Sequence, residues 1–81
     1  MKVNLFEGVY SAQESKELLT QMIHVKIKFN EQKIAENSNE EDIKMREQRI
    51  KLLQKELYEA RQFIDQQNSS ISITGEISIQ N

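Results

Sequence analysis

The feature that most constrains this chain is the lack of helix-breaking residues over most of its length. Proline is absent, and the only two glycines stand at positions 8 and 75. Glycine and proline are the residues that destabilise a helix interior most, and none interrupts the sequence between those positions. The composition therefore predicts long helices in the middle of the chain, with other structure confined to its two ends.

The segment SAQE marks the start of a first helix. Ser11 can act as the N-cap, and Glu14 follows three residues later. This is the spacing of a capping box, in which each side chain accepts a hydrogen bond from a backbone N–H group at the helix start. The apolar pattern then continues as far as the polar segment ENSNEED. We expect a helix over residues 12–36.

The segment SNEE marks the start of a second helix with the same pattern, here formed by Ser38 and Glu41. The acidic residues at positions 40–42 lie where the dipole at a helix N-terminus favours negative charge. We expect this helix over residues 39–67. Because so few residues join the two helices, they should fold back on each other as an antiparallel hairpin.

Each predicted helix carries more apolar surface than one partner helix can cover. The first helix has two neighbouring stripes, which are Leu18, Met22, Val25 and Phe29, and Ala12, Leu19, Ile23, Ile27 and Ile34. The second has a seam with heptad spacing and a separate flank, which are Ile43, Ile50, Leu53, Leu57, Ala60 and Ile64, and Met45, Leu52 and Phe63. A second protomer that covers the remaining stripes, as in a dimeric four-helix bundle, is the simplest closure.

Arg46 interrupts the heptad seam of the second helix and allows two interpretations. Its long side chain can extend past the seam to water near the tip of the hairpin. Alternatively, it pairs with an acid on a partner, such as Glu31, and thereby fixes the register or the oligomeric state.

Both ends of the chain show strand patterns. KVNLF alternates apolar and polar residues near the N-terminus, and SISITGEISIQN places Ile71, Ile73, Gly75, Ile77 and Ile79 on alternate positions. A hairpin centred on Gly75 gives either a poor register or a very short ladder, so a single strand with Gly75 at a bulge or a close approach is favoured. A disordered tail is the alternative.

The helical hairpin brings these two ends together. We therefore expect strands over residues 2–6 and 70–80 that pair antiparallel at the open end of the hairpin. The free edge of the C-terminal strand can also pair with another chain, so the sequence leaves open which chain supplies its partner.

Size and composition favour self-association. Eighty-one residues form one domain, 1–81, whose core is thin. Cysteine is absent, which leaves neither disulfides nor thiolate metal sites to stabilise it. No apolar run is long enough for a membrane span, and the N-terminus lacks the pattern of a signal peptide. We expect a soluble, cytoplasmic protein.

No residue set carries a recognisable catalytic, cofactor or metal chemistry. The single histidine, His24, falls on the polar side of the first helix without a second histidine at metal-ligand spacing. The acidic run at 40–42 has no calcium-loop pattern, and helix-start electrostatics explains it. We expect a protein that is not an enzyme and that needs neither a cofactor nor a metal.

These observations predict an α+β protein, mainly α: an antiparallel two-helix hairpin with short terminal strands at its open end, which dimerises into a four-helix bundle. The predicted function is that of a small non-catalytic homo-oligomeric structural or protein-interaction module, with itself or another protein as partner and without membrane contact. The expected self-association residues are Leu19, Ile23, Ile27, Met45, Leu52, Phe63, Ile71, Ile73, Ile77 and Ile79.

A basic band supports an alternative function as a nucleic-acid-associated regulator. Lys44, Lys51 and Lys55 project from one arc of the second helix and are candidate phosphate-binding residues. In the hairpin, they stand near the level of Lys26, Lys28 and Lys33 on the first helix. The net charge of −2 and the lack of interleaved aromatic residues make nucleic acid the second choice of partner.

Overall fold

The computed structural model describes the whole chain, residues 1–81. Two helices are flanked by two strands that form one antiparallel sheet, so the α+β, mainly helical architecture is confirmed. In chain order the elements are β1 (Lys2–Tyr10), α1 (Ala12–Glu36), α2 (Glu40–Asp65) and β2 (Ile71–Ser78). Neither helix combines the length and the apolar character needed to cross a lipid bilayer.

α1 begins with the capping box that the sequence predicts. The Ser11 hydroxyl oxygen accepts a hydrogen bond from the backbone N–H of Glu14 at 3.1 Å. In return, the Glu14 carboxylate accepts one from the backbone N–H of Ser11 at 2.9 Å. Two N–H groups without partners inside the helix are thereby satisfied, which fixes the point where β1 gives way to α1.

α2 begins differently from the prediction, because Asn39 and not Ser38 is its N-cap. The Asn39 side-chain oxygen accepts hydrogen bonds from the backbone N–H groups of Glu41 at 3.0 Å and Asp42 at 3.2 Å. The short side chain of Asn39, one residue closer to the helix than Ser38, brings its amide oxygen within reach of both donors. The predicted capping box of Ser38 and Glu41 is therefore wrong. The helix ends at Asp65, before the predicted position 67.

α1 and α2 pack side by side as an antiparallel hairpin. Leu53 and Ile64 are the only buried apolar side chains in the chain, and both belong to the predicted seam of α2. Two polar contacts between the helices fix their register near the open end. The Lys16 ammonium lies 2.7 Å from the Asp65 carboxylate, and the Arg61 guanidinium donates a hydrogen bond to the Thr20 hydroxyl at 2.8 Å.

β1 and β2 pair antiparallel within the same chain. Tyr10 stands opposite Ile71 and Val3 opposite Ile77, so the ladder covers most of both strands. β1 is longer than the predicted strand over residues 2–6, because its last residues continue to pair with the first residues of β2. The ladder shifts between Asn4 and Phe6, which makes a bulge on β1.

Gly75 lies inside one uninterrupted strand, as the favoured interpretation of the C-terminal segment has it. The bulge lies on the opposite strand, so its predicted placement at Gly75 is wrong. The close approach is present instead. Phe6 is the cross-strand partner of Gly75, and its ring carbon Cδ2 is 3.4 Å from the point where a Cβ atom on Gly75 would lie. An aromatic ring thus covers the glycine backbone across the sheet.

The molecule is flat and extended. Its Cα atoms span 47 × 31 × 13 Å with a radius of gyration of 15.2 Å. A compact domain of this length has a radius of gyration of about 12 Å. The two helices form a single layer, and the sheet has few contacts with them. Most apolar side chains therefore remain outside any core that one chain provides.

Candidate self-association surface

One broad side of the helical hairpin is apolar and exposed. On α1, Val25 is 65% exposed and Phe29 is 54% exposed. On α2, Met45, Leu52 and Phe63 are 41%, 55% and 62% exposed. Residues three and four apart lie on the same side of a helix, so Leu18 and Met22 extend the row on α1. We call these seven residues the apolar face.

Contacts between the helices bring the two rows of the apolar face to the same levels. Lys16 contacts Asp65 and Thr20 contacts Arg61, and the two residue numbers in each pair add up to 81. Near the open end, this relation makes Leu18 level with Phe63. Toward the tip, Asn30 contacts Arg46 and their numbers add up to 76, so the level of Phe29 on α2 lies between residues 47 and 52. Large apolar side chains thus stand side by side on both helices.

A shallow groove shows that both rows are on one side of the hairpin. It has a volume of about 230 Å³ and is lined by Lys26 and Asn30 of α1 and by Arg49, Leu52, Leu53 and Glu56 of α2. Lys26 lies three residues before Phe29 and therefore on the same side of α1. Leu52 on α2 and Phe29 on α1 accordingly border the same surface.

The opposite side of the hairpin is polar, and we call it the polar face. It carries a wider open groove of about 600 Å³, with Ile27 and Leu57 between the helices and polar residues along its borders. Those bordering residues are Thr20, His24, Lys28, Glu31, Gln54, Tyr58 and Arg61. Tyr58, which is 64% exposed, is the one large exposed apolar or aromatic side chain of the helices outside the apolar face. The large exposed apolar side chains of the helices are therefore concentrated on one side of the hairpin, while the other side has an apolar groove floor between polar borders.

Charged residues border the apolar face. Arg49 and Glu56 are both exposed, line the same groove and form no ion pair within the chain. They are seven positions apart, about 10.5 Å along the helix axis, which is too far for direct contact. Lys33 is already engaged: its ammonium lies 3.9 Å from Glu36 and 5.6 Å from the centre of the Phe29 ring.

A polar pair interrupts the contact between the helices toward the hairpin tip. Asn30 is 6% exposed, and its side-chain oxygen accepts a hydrogen bond from Nη1 of Arg46 at 3.1 Å. The Asn30 amide donates to the backbone oxygen of Lys26 at 2.9 Å, and Nε of Arg46 lies 3.6 Å from Asp42. Arg46 is thus held within its own chain with its side chain 19% exposed, so the predicted extension to water is wrong. Its pairing with Glu31 of a partner stays a prediction.

Asn30 takes part in the contact between the helices, which the sequence pattern was not used to predict. It lies three residues after Ile27 and four before Ile34, so it interrupts the apolar stripe of α1 as Arg46 interrupts the seam of α2. Two polar residues facing each other inside one apolar contact share a hydrogen bond, which a single interruption cannot form, while Nε of Arg46 remains without a hydrogen-bond partner. The polar residue Arg46 in the apolar seam of α2 was the sequence feature that indicated a polar partner on α1.

The structure separates the residues predicted for self-association into two groups. Those that are half-buried within one chain are Leu19, Ile23, Ile27, Ile71 and Ile73. Those that are exposed are Met45, Leu52, Phe63, Ile77 and Ile79. On α1, Val25 and Phe29 are more exposed than the predicted residues and are therefore better placed to contact a second chain. The part of Leu19, Ile23 and Ile27 in self-association stays a prediction.

Among the candidate phosphate-binding lysines, Lys55 lies three residues after Leu52 and borders the apolar face, whereas Lys44 and Lys51 lie farther from it. Lys44, Lys51 and Lys55 are exposed on the outer edge of α2 and form no ion pair. The lysines of α1 do not continue them into one band, because Lys26 and Lys28 line grooves on opposite sides of the hairpin. The basic surface on α2 is therefore a short edge of three residues.

The acidic residue of the α1 capping box has a shifted pKa. The pKa of Glu14 is held below its ordinary value of 4.5, because the backbone N–H and the side chain of Ser11 hydrogen-bond to its carboxylate. His24 is exposed at the polar groove, and no group of three or more His, Cys, Asp or Glu side chains is placed to hold a metal ion. The apolar face and the charged residues at its border are suited to packing and charge pairing.

Comparisons with known protein families, with characterised proteins and with solved structures find no match to this chain. The apolar face is therefore the feature from which a function can be inferred.

Proposed function

We propose that this chain is a small, non-catalytic self-association module that works as a homodimer. Two copies pack their apolar faces together and form a four-helix bundle, with each hairpin supplying one layer. The observation that supports this most directly is the concentration of exposed large apolar side chains on one side of the hairpin. Contiguous exposed apolar surface of this kind is typical of protein interaction sites.

The amount of exposed surface supports a second copy as the occupant. The chain exposes 6572 Å², whereas a compact monomer of 9.5 kDa exposes about 5,000 Å². The excess is roughly 1,500 Å², and a stable complex of standard size buries about 800 Å² on each partner. Burial of the apolar face in a dimer thus accounts for a large part of the excess.

Thin burial within the chain supports the same proposal. Leu53 and Ile64 are the only buried apolar residues, although the helices carry apolar side chains on about half of their circumference. Face-to-face packing encloses the exposed row between two hairpins, which is how four-helix bundles obtain their core. A two-fold axis allows one surface to serve as both halves of the interface.

Analytical ultracentrifugation tests the proposal. We expect sedimentation velocity over a series of protein concentrations to show a species of twice the 9.5 kDa chain mass at tens of micromolar. Circular dichroism on the same samples reports whether the chain is helical. A helical protein that sediments as a monomer throughout this range would contradict the proposal.

The lysine edge of α2 supports a second candidate function, nucleic-acid association. Lys44, Lys51 and Lys55 have no acidic partner, and Lys44 and Lys51 lie away from the apolar face, so these two stay accessible in the proposed dimer. Phosphate contacts would make binding strongly dependent on salt. Fluorescence anisotropy with labelled DNA and RNA at low salt tests this, with the triple Lys→Gln variant at these positions beside Lys28→Gln as control. Equal binding by both variants, or no binding by the natural chain, would contradict it.

A further inference from the structure

We propose that the two copies in the dimer run in opposite directions, so that α2 packs against α2 of the partner subunit and Arg49 pairs with Glu56 of the partner subunit. This inference rests on the proposed function, since it describes how the second copy lies on the apolar face. By symmetry the pair forms twice, once on each side of the two-fold axis.

Two unpaired charges that line the groove on the apolar face support this arrangement. Arg49 and Glu56 have opposite charge, are exposed and lack partners within the chain. Leu52 and Leu53 lie between them and line the same groove. Arg49 and Glu56 are about two helical turns apart. When two copies of α2 pack antiparallel about the level of the leucines, Arg49 of each copy comes opposite Glu56 of the other.

A two-fold axis can bring the apolar faces together in two ways. An axis parallel to the helices keeps each level opposite itself and lays α1 over α2 of the partner. An axis across the helices reverses the second copy, lays α2 over α2 and places the two open ends at opposite ends of the bundle. The rows of charge on the apolar face distinguish these arrangements.

The same-level arrangement opposes like charges. The contacts between the helices place residues 27–32 of α1 at the level of Arg49, and Lys26 and Lys33 stand on either side of that range. Arg49 would therefore face lysines of the partner subunit, while Glu56 would come nearest to Lys26. Reversal about the level of Leu52 and Leu53 replaces this mixture with two attractive pairs of Arg49 and Glu56. Charge pairs at the border of an interface act chiefly on orientation, because wrong pairings are repelled.

Charge reversal at these two positions tests the arrangement. Arg49→Glu and Glu56→Arg each place like charges opposite each other in the reversed dimer. We expect each variant to raise the dissociation constant roughly tenfold at low salt, since two attractive pairs become repulsive. An equimolar mixture should recover a heterodimer of about natural affinity, because one subunit then carries two acids and the other two bases at these positions.

Two control variants make the same kinds of charge change at positions outside the apolar face. Lys51→Glu and Glu47→Arg lie on the outer and polar sides of α2, and we expect the dissociation constant of each to change less than about threefold. Circular dichroism confirms that every variant remains helical. High salt should reduce the difference between the groove variants and their controls, since the charges lie at the border of the interface.

The sign of the Arg49→Glu effect decides between the arrangements. In the same-level dimer this variant places an acid between the partner's Lys26 and the partner's Lys33 and tightens association. A tighter Arg49→Glu dimer, or a mixture that fails to recover affinity, would overturn the reversed arrangement and leave the proposed dimer intact. A natural chain that is monomeric would overturn both proposals.

Discussion

Arg46 on α2 donates a hydrogen bond from Nη1 to the side-chain oxygen of Asn30 on α1, over 3.1 Å, inside an otherwise apolar contact between the helices. Both side chains are largely withdrawn from water, and Asp42 lies beside the guanidinium. A buried polar pair of this kind fixes which levels of the two helices meet, because a shift along the axis leaves both groups without a partner.

Replacing one member of this pair should destabilise the chain more than replacing both. We expect Asn30→Leu or Arg46→Leu alone to lower the free energy of unfolding by about 1–3 kcal/mol, since each leaves a polar group unpaired. The double variant Asn30→Leu/Arg46→Leu should recover most of that loss. Urea unfolding at a fixed protein concentration measures all three, and additive losses would contradict the coupling.

The contact between Phe6 and Gly75 gives a prediction for the sheet. Gly75 does not have a positive φ, and a Cβ atom there would meet the Phe6 ring at 3.4 Å, an ordinary contact. We therefore expect Gly75→Ala to leave stability unchanged or to raise it by up to about 1 kcal/mol, through a less flexible unfolded chain. Phe6→Ala should lower it by about 1 kcal/mol, because the glycine backbone loses its cover. Thermal unfolding that shows a clear loss for Gly75→Ala would contradict this account.

The sequence predicted the elements that depend on local signals. Ser11 and Glu14 fix the start of α1 through hydrogen bonds three residues apart, and such bonds need no tertiary information. The choice between Ser38 and Asn39 at the start of α2 depends on one residue of loop geometry, which the spacing pattern does not resolve. The position of the bulge between Asn4 and Phe6 could not be predicted from the sequence, because it depends on how the two strands pair.

The candidate surface was only partly predictable. Helical spacing showed two apolar stripes on α1 but did not say which one the neighbouring helix covers. The polar pair of Asn30 and Arg46 places the stripe of Leu19 and Ile23 against α2 and leaves Val25 and Phe29 outside. That assignment needs the orientation of one helix relative to the other, which periodicity in a single helix does not contain.

The capping box predicts a dependence of stability on pH. The pKa of Glu14 is lower in the folded chain than its ordinary value of 4.5, because Ser11 hydrogen-bonds to the ionised carboxylate. Its contribution to stability is therefore fully present above the unfolded-state pKa and is lost as the pH falls through the folded-state value. We expect the natural chain to be more stable than Glu14→Gln at neutral pH, with a difference that disappears well below pH 4.5.

Urea unfolding across this pH range measures the effect. Glu17→Gln is the matched control, because Glu17 lies on the same helix and takes no part in the capping box. A difference between Glu14→Gln and the natural chain that stays constant with pH would show that the ionised carboxylate does not stabilise the helix start.

Sedimentation equilibrium of Leu52→Asp beside Tyr58→Asp tests the central claim, dimerisation through the apolar face, most directly. The two residues lie on the same helix and are 55% and 64% exposed, but Leu52 lies on the apolar face and Tyr58 on the polar face. An aspartate buried in the interface is strongly unfavourable, whereas an exposed one is tolerated. We expect Leu52→Asp to be a helical monomer and Tyr58→Asp to be a dimer. Equal dimer fractions in the two variants would contradict it.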